Sequence, residues 1–191
     1  MSTTSNIKTE FLDLLRFAFI TLLIVIPIRM FIAQPFIVNG ESMLPTFENG
    51  DYLIIDEVSY LKNEPRRGEV IVFHFPTDES RYLIKRIIGL PGETIQLQGD
   101  SVTITKADGE VVELDETYTN NGASYGTWTL EEEEYFVMGD NRGASSDSRS
   151  WGPLAKKEIV GKTLVRLFPI SNINLRPGQV EAQELEKVLE Q

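Results

Sequence analysis

The sequence predicts a mainly β protein: an antiparallel sheet or barrel-like domain behind one N-terminal transmembrane helix. Three observations lead there. Beyond residue 50 the chain is a succession of short runs rich in Val, Ile, Thr, Tyr and Phe, which pack well on a pleated sheet. Gly, Pro, Asn and Asp separate those runs, and no convincing amphipathic helix lies between them. Near the N-terminus, by contrast, the chain is apolar all round over a length that suits a bilayer.

Taken in order, residues 1–10 form a polar tail and residues 11–36 the anchor. Phe17 to Ile28 carries no charge, and Phe17 to Ala33 is just long enough to cross a hydrocarbon core, with Arg29 snorkelling to the nearer interface. A removable leader fits less well, because Phe31-Ile32-Ala33 lacks a small residue at the first position of a cleavage site. Lys8 and Arg16 precede the span, and after Arg29 no basic residue appears before Lys62. That asymmetry predicts a single pass through the cytoplasmic membrane, N-terminus inside and the remainder on the extracytoplasmic side, with the lipid bilayer as a partner.

Residues 37–175 then read as the β domain. Asp51 to Asp56 and Glu69 to Phe73 are strands introduced by glycine, and Arg81 to Ile88 is a third, closed by Gly89-Leu90-Pro91-Gly92. Ser101 to Thr105 and Val111 to Leu114 flank Ala107-Asp108-Gly109, a hairpin signal. Tyr135 to Met138 and Lys162 to Phe168 complete the set, Glu131 to Glu134 being a solvated connection. Residues 176–191 are expected to be a C-terminal tail, with Glu181 to Gln191 a short helix or a frayed end.

Composition removes several chemistries. A net charge of −11 with no basic cluster argues against nucleic acid as a partner. The absence of cysteine excludes disulfides, thiol catalysis and cysteine metal sites together. The single histidine, His74, rules out a multi-histidine metal site, and its place in Phe73-His74-Phe75 before Pro76 marks it as a strand residue. No cofactor and no metal are expected.

Three segments carry chemistry. In Val38 to Phe47, Gly40 and Pro45 bend the chain around Ser42, a hydroxyl that can attack a carbonyl if another group takes its proton. In Tyr82 to Ile88, strand alternation gives Lys85 and Arg86 opposite faces, so one of them lies against something apolar. Were it Lys85, desolvation lowering its pKa by ~2–3 units would represent roughly 3–4 kcal/mol of disfavoured charge, and the neutral amine could deprotonate a serine. The third segment, Met138 to Gly152, gathers glycines, hydroxyls, carboxylates and arginines in one loop, suited either to Asp-Arg stapling alone or to orienting such a lysine.

Together these segments resemble the type I signal peptidases, membrane-anchored Ser-Lys proteases of bacteria. Ser42-Met43-Leu44-Pro45-Thr46 resembles the family's nucleophile box, and Arg67 to Phe73 the strand motif that follows it. Tyr82 to Glu93 is similar to the general-base box, and Gly139-Asp140-Asn141-Arg142 with Ser145, Asp147, Ser148 and Arg149 to the last box. Four motifs in family order behind an N-terminal anchor, over Phe17 to Phe168, make the resemblance specific. It implies that Ser42 is the nucleophile, Lys85 the general base, Ser145 the group that orients the lysine amine, Asp147 and Arg149 a supporting pair, and Asp140 and Arg142 an outer scaffold. It further implies an acyl-enzyme route that removes signal peptides from exported precursors with small residues at the first and third positions before the cut. Phe36, Val38 and Ile84 are the expected pocket residues. Gly40 departs from members that carry an oxyanion-binding serine two residues before the nucleophile, and Gly143-Ala144 from a more polar pair in the last box. Two rivals stand beside this reading. A self-cleaving regulator of the SOS-repressor kind would need no membrane span. A catalytically inactive, membrane-tethered β domain that binds peptides or scaffolds a secretion complex would not need both Ser42 and Lys85.

Overall fold

The computed structural model describes residues 3–31, 33–120 and 122–188. Helix α1 spans Thr3–Phe31, and its apolar side chains from Phe11 to Leu23 lie exposed, with no protein packed over them. Among the described residues no helix is long and apolar enough to cross a membrane; Ile32, inside the expected span, lies outside them. The expected anchor boundary at Phe36 is corrected, because Ala33–Ile37 form strand β1, paired from Ala33↔Asp56 to Ile37↔Tyr52 with β2 (Tyr52–Asp56). Pro35 has no N–H to offer a second neighbour, which suits the edge position β1 occupies.

The other strands are β3 (Val70–Phe75), β4 (Asp78–Gly89), β5 (Thr94–Gly99), β6 (Ser101–Thr105), β7 (Val111–Leu114), β8 (Ser124–Thr129) and β9 (Glu134–Met138). After helix α2 (Ser148–Trp151) come β10 (Leu154–Ala155), β11 (Ile159–Phe168) and β12 (Asn174–Leu175), then helix α3 (Ala182–Leu185) and β13 (Glu186–Val188). They form two antiparallel sheets. The first runs β1-β2-β11-β3-β4-β9-β10 with β12 against β11, and the second runs β13-β7-β6-β5-β8. Strand β4 lies inside the first sheet, hydrogen-bonded to β3 (Ile71↔Lys85) and β9 (Arg86↔Met138). From Arg86 onward β4 is held on both sides, whereas Tyr82 to Lys85 pair with β3 alone and leave their other edge free.

The core divides into clusters that follow the sheets. Ile88, Ile95, Ile104, Val112, Phe136 and Leu185 bind the second sheet to the first. Val38, Met43, Phe47, Leu53, Ile55, Val70 and Val72 pack beneath the Ser42 turn. Ile71, Phe73, Ile87, Tyr135, Val137 and Leu154 fill the far side.

The expected tail holds the short helix α3 and is not frayed. Residues 176–188 pack on the domain, with Leu185 buried at 1% exposure, β13 extending the second sheet, and the Asp115 N–H donating to Leu185 O at 2.7 Å. The physical reason is a free strand edge at β7 and an apolar hollow beside it, which a polar composition conceals. Leu185→Ala should therefore cost about 2–5 kcal/mol in urea unfolding, the range for removing a buried leucine. A frayed tail would show no change.

Candidate active site

The nucleophile segment is built from its apolar residues. Met43 and Phe47, 1% and 0% exposed, plug the core, and the Phe47 N–H closes the turn on Met43 O at 2.9 Å. Gly40 adopts φ +99°, open to glycine at little cost, and its N–H donates to Asn49 Oδ1 at 2.9 Å. The turn is fixed from outside by Asn141, whose backbone N–H donates to Ser42 O and whose side-chain amide donates to Glu41 O, each at 3.0 Å. Ser42 is thereby held at the mouth of a cleft.

Lys85 reaches it from β4. The amine Nζ lies 2.7 Å from Ser42 Oγ and 2.8 Å from Ile84 O, and the residue is 3% exposed. Burial lowers its pKa from 10.5 to about 8, although Asp147 and then Asp140 pull the other way. At pH 7 about a tenth of such a group is neutral, against roughly one part in three thousand for a free lysine.

Alternation left open which of Lys85 and Arg86 faces inward. Both do. Arg86 is 0% exposed and bonds Asp140 through two nitrogens, at 2.8 and 2.6 Å. It also donates to Gly68 O at 2.9 Å and to Gly178 O, and it stacks 4.0 Å over the Tyr118 ring. Asp140 in turn accepts from Thr46 Oγ1.

The polar loop is stapled as its composition suggests, with partners that differ in part. Asp147 caps α2, accepts from Gly139 N–H at 3.0 Å, and binds Arg149 at 2.7 and 2.8 Å. Burial opposes its charge, but the Arg149 guanidinium and the Gly139 N–H outweigh burial and hold the carboxyl below its usual range. Asp140 and Arg142 do not pair with each other: Asp140 takes Arg86, and Arg142 takes Glu116 in a two-armed bridge at 2.6 and 2.5 Å. The expected Ser145–Lys85 bond is also absent. Lys85 has Ile84 O as its second partner, while the buried Ser145 hydroxyl lies against Gly139 and faces the Asp147 carboxylate, whose charge it favours.

Phe36, Val38 and Ile84 line one cleft with Ser42 and Lys85, joined by Leu53, Val72, Tyr82 and Leu83. Tyr82 packs edge-on against Phe36 at 5.2 Å between ring centres. His74 stacks on Tyr82 and its Nδ1 lies 2.9 Å from Glu79 O, so it serves the β3–β4 hairpin. Sequence reasoning missed Arg86's counter-ion, Glu116, Asn141's two bonds and Tyr82. The signal for Arg86 was its adjacency to Lys85 in a strand with apolar neighbours on both sides; the others carried none.

A serine hydroxyl bonded to a buried amine, at the mouth of an apolar cleft, is the equipment of a nucleophilic hydrolase. The chain belongs to the family described as signal peptidase, peptidase S26, whose model matches residues 11–168. It is similar to signal peptidase I of Leptolyngbya laminosa, 38% identical over 164 residues that cover 81% of this chain and 78% of that one. It is also similar to signal peptidase I P of Bacillus subtilis subsp. natto, 32% identical over 179 residues, covering 87% and 94% of the two chains. A crystal structure of a signal peptidase I from Enterococcus faecalis V583 aligns with 52% of this chain and 97% of its own, at 31% identity and a TM-score of 0.46.

Two substitutions probe this architecture. A Cβ on Gly139 would lie 2.3 Å from Ser145 Oγ and 2.4 Å from Ser42 O, so Gly139→Ala must push the Ser42 turn aside. Peptidase turnover should fall by about 10²-fold, the scale of an ångström of misplacement, while circular dichroism stays unchanged. Arg86→Met strands a buried Asp140 carboxylate, and urea unfolding should register a loss of about 3–5 kcal/mol.

Proposed function

We propose that this protein is a serine endopeptidase that removes N-terminal signal peptides from exported precursors, with Ser42 as nucleophile and Lys85 as general base. One observation carries the reading: an amine 2.7 Å from the Ser42 hydroxyl, buried so that its pKa falls to about 8. Neutral Lys85 accepts the Ser42 proton as the oxygen attacks the scissile carbonyl. The amine then returns that proton to the leaving nitrogen, and in the second half it activates the water that hydrolyses the acyl-enzyme. The oxyanion would be met by the Ser42 backbone N–H, since the Gly40 N–H is already taken by Asn49. Asp147 with Arg149, and Asp140 with Arg86, support the amine from behind. The reaction as written uses no cofactor.

The substrate follows from the cleft and from the family. Relatives named signal peptidase I share most of this chain's length. An extended segment laid beside β4 would present alternate side chains to the walls formed by Phe36, Val38 and Ile84. Those walls admit small residues at the first and third positions before the cut and collide with bulky ones. The same proposal places α1 in the cytoplasmic membrane, its tail inside and the β domain from residue 37 outside. Its exposed apolar side chains and the basic residues Lys8 and Arg16 before the apolar run support that orientation. Enzyme and precursor then meet on one membrane face.

Ser42→Ala and Lys85→Ala should each abolish precursor cleavage in detergent while remaining folded; near-normal turnover by Lys85→Ala would displace it as the base. The pH profile has a definite sign. The working form is the neutral amine, so activity should rise with pH through about 8. Below that midpoint it should fall by roughly tenfold per pH unit, and a flat profile down to pH 5 would contradict a lysine base.

A further inference from the structure

The family match ends at Phe168, yet the chain beyond it returns to the centre of the molecule. Thr163 Oγ1 in β11 donates to Pro177 O at 3.1 Å, fixing the start of the return. Gly178 comes next. A Cβ there would lie 2.6 Å from Thr46 Cγ2, so only a glycine lets the backbone approach this closely. Gly178 O accepts from Arg86 Nη1. Thr46 stands four residues after Ser42, and Arg86 one residue after Lys85, so this single glycine touches both segments that bear the reacting groups. Farther on, Leu185 is buried in the core shared by the sheets and Glu186 bonds Arg67 at 2.8 Å, which ties down the distal end.

We propose that residues Pro177 to Leu185 act as a positioning strap: by seating Gly178 between Thr46 and Arg86, the strap holds the nucleophile turn against the base strand. The inference rests on the Ser42–Lys85 reading and deepens it. Arg86 is a fully buried cation, and each of its N–H groups that loses an acceptor is left unsatisfied in a dry interior. Without Gly178 O the guanidinium shifts toward its remaining acceptors, and the turn that leans on it through Thr46 and Asp140 shifts with it. Charge moves in the same direction. The carboxylates that act on Lys85 are Asp147, at the start of α2, and Asp140, after β9; their counter-ions are Arg149 and Arg86. A displaced Arg86 neutralises Asp140 less completely, which favours the ammonium form of Lys85.

The test uses the full chain in detergent and a synthetic peptide spanning a signal-sequence cleavage site. Gly178→Ala should lower kcat by about tenfold or more, leave KM within about twofold, and move the acid limb of the pH profile upward by about half a unit. Thr163→Val, which frees Pro177 O without touching the site, should shift both readouts in the same direction by smaller amounts, and it decides the matter should Gly178→Ala fail to fold. Adding Thr46→Ser to Gly178→Ala removes the Cγ2 that the new methyl strikes and keeps the hydroxyl, so the double variant should regain part of the lost turnover, the strain of an alanine at φ +74° remaining. A folded Gly178→Ala with unaltered kcat and acid limb overturns the strap. So does a loss that merely tracks the unfolded fraction at every pH, or, where only Thr163→Val folds, unchanged readouts in that variant. Cleavage that survives Ser42→Ala or Lys85→Ala in the same assay would instead sink the Ser-Lys reading beneath it.

Discussion

The structure depends on making one ammonium easy to deprotonate. A lysine gives up hydration when it is buried, and here its pKa falls from 10.5 to about 8, roughly 3 kcal/mol of disfavoured charge. That cost must be met by the rest of the fold, because water or an unneutralised carboxylate beside the amine would restore the charge. Position meets most of it. Lys85 lies on β4, paired with Ile71 of β3 one residue before the pairing with β9 begins at Arg86, and it is 3% exposed. A hydroxyl and a carbonyl are its hydrogen-bond partners, and both can serve a neutral amine as well as a charged one.

The surrounding charges are arranged to the same end. Two carboxylates act on the amine, and each is committed to an arginine: Asp147 to Arg149, and Asp140 to Arg86. Buried pairs of this kind add little net stability compared with an apolar substitute. Their value here is geometric and electrostatic. Each arginine uses a planar fork that fixes the carboxylate's orientation, and each leaves the lysine facing a nearly neutral pair in place of a bare anion. Arg86 carries the greater burden, since it also reaches Gly68 O and Gly178 O and so joins β4 to the chain on either side.

Much of this was legible in the sequence, and the part that was not has a common cause. Asp51 to Asp56 is a compact apolar run, Ser101 to Thr105 alternates cleanly, and turns such as Asp108-Gly109 announce themselves, so those strands appear where expected. Strand β8 was hidden because Ser-Tyr-Gly-Thr-Trp-Thr carries few aliphatic side chains and an interior glycine. Strand β1 was hidden inside a longer apolar run, where hydropathy cannot mark the change from helix to strand. At the site, Ser42 and Lys85 lie together in space as the resemblance implies, and Phe36, Val38 and Ile84 share their cleft. Long-range pairings were the blind spot. Arg142 finds Glu116, and the C-terminal residues supply an acceptor to Arg86, because the sheet topology decides which charges meet and local spacing does not encode it.

The walls of the cleft have two duties that cannot be separated. Ile84 precedes Lys85 in the chain, lends its carbonyl to the amine and its side chain to the cleft. Val38 lies in the cluster that packs beneath Ser42, and Phe36 and Ile84 lean on that cluster from the cleft side. Any change that makes these walls more polar, to admit a larger or more hydrophilic residue, also raises the local dielectric and draws water toward the lysine. On the proposed reading, selectivity for small apolar side chains and the availability of a neutral base would be two consequences of one apolar surface. An extended peptide that fills the cleft would, on that reading, strengthen the effect, since excluding water from Lys85 favours the uncharged amine.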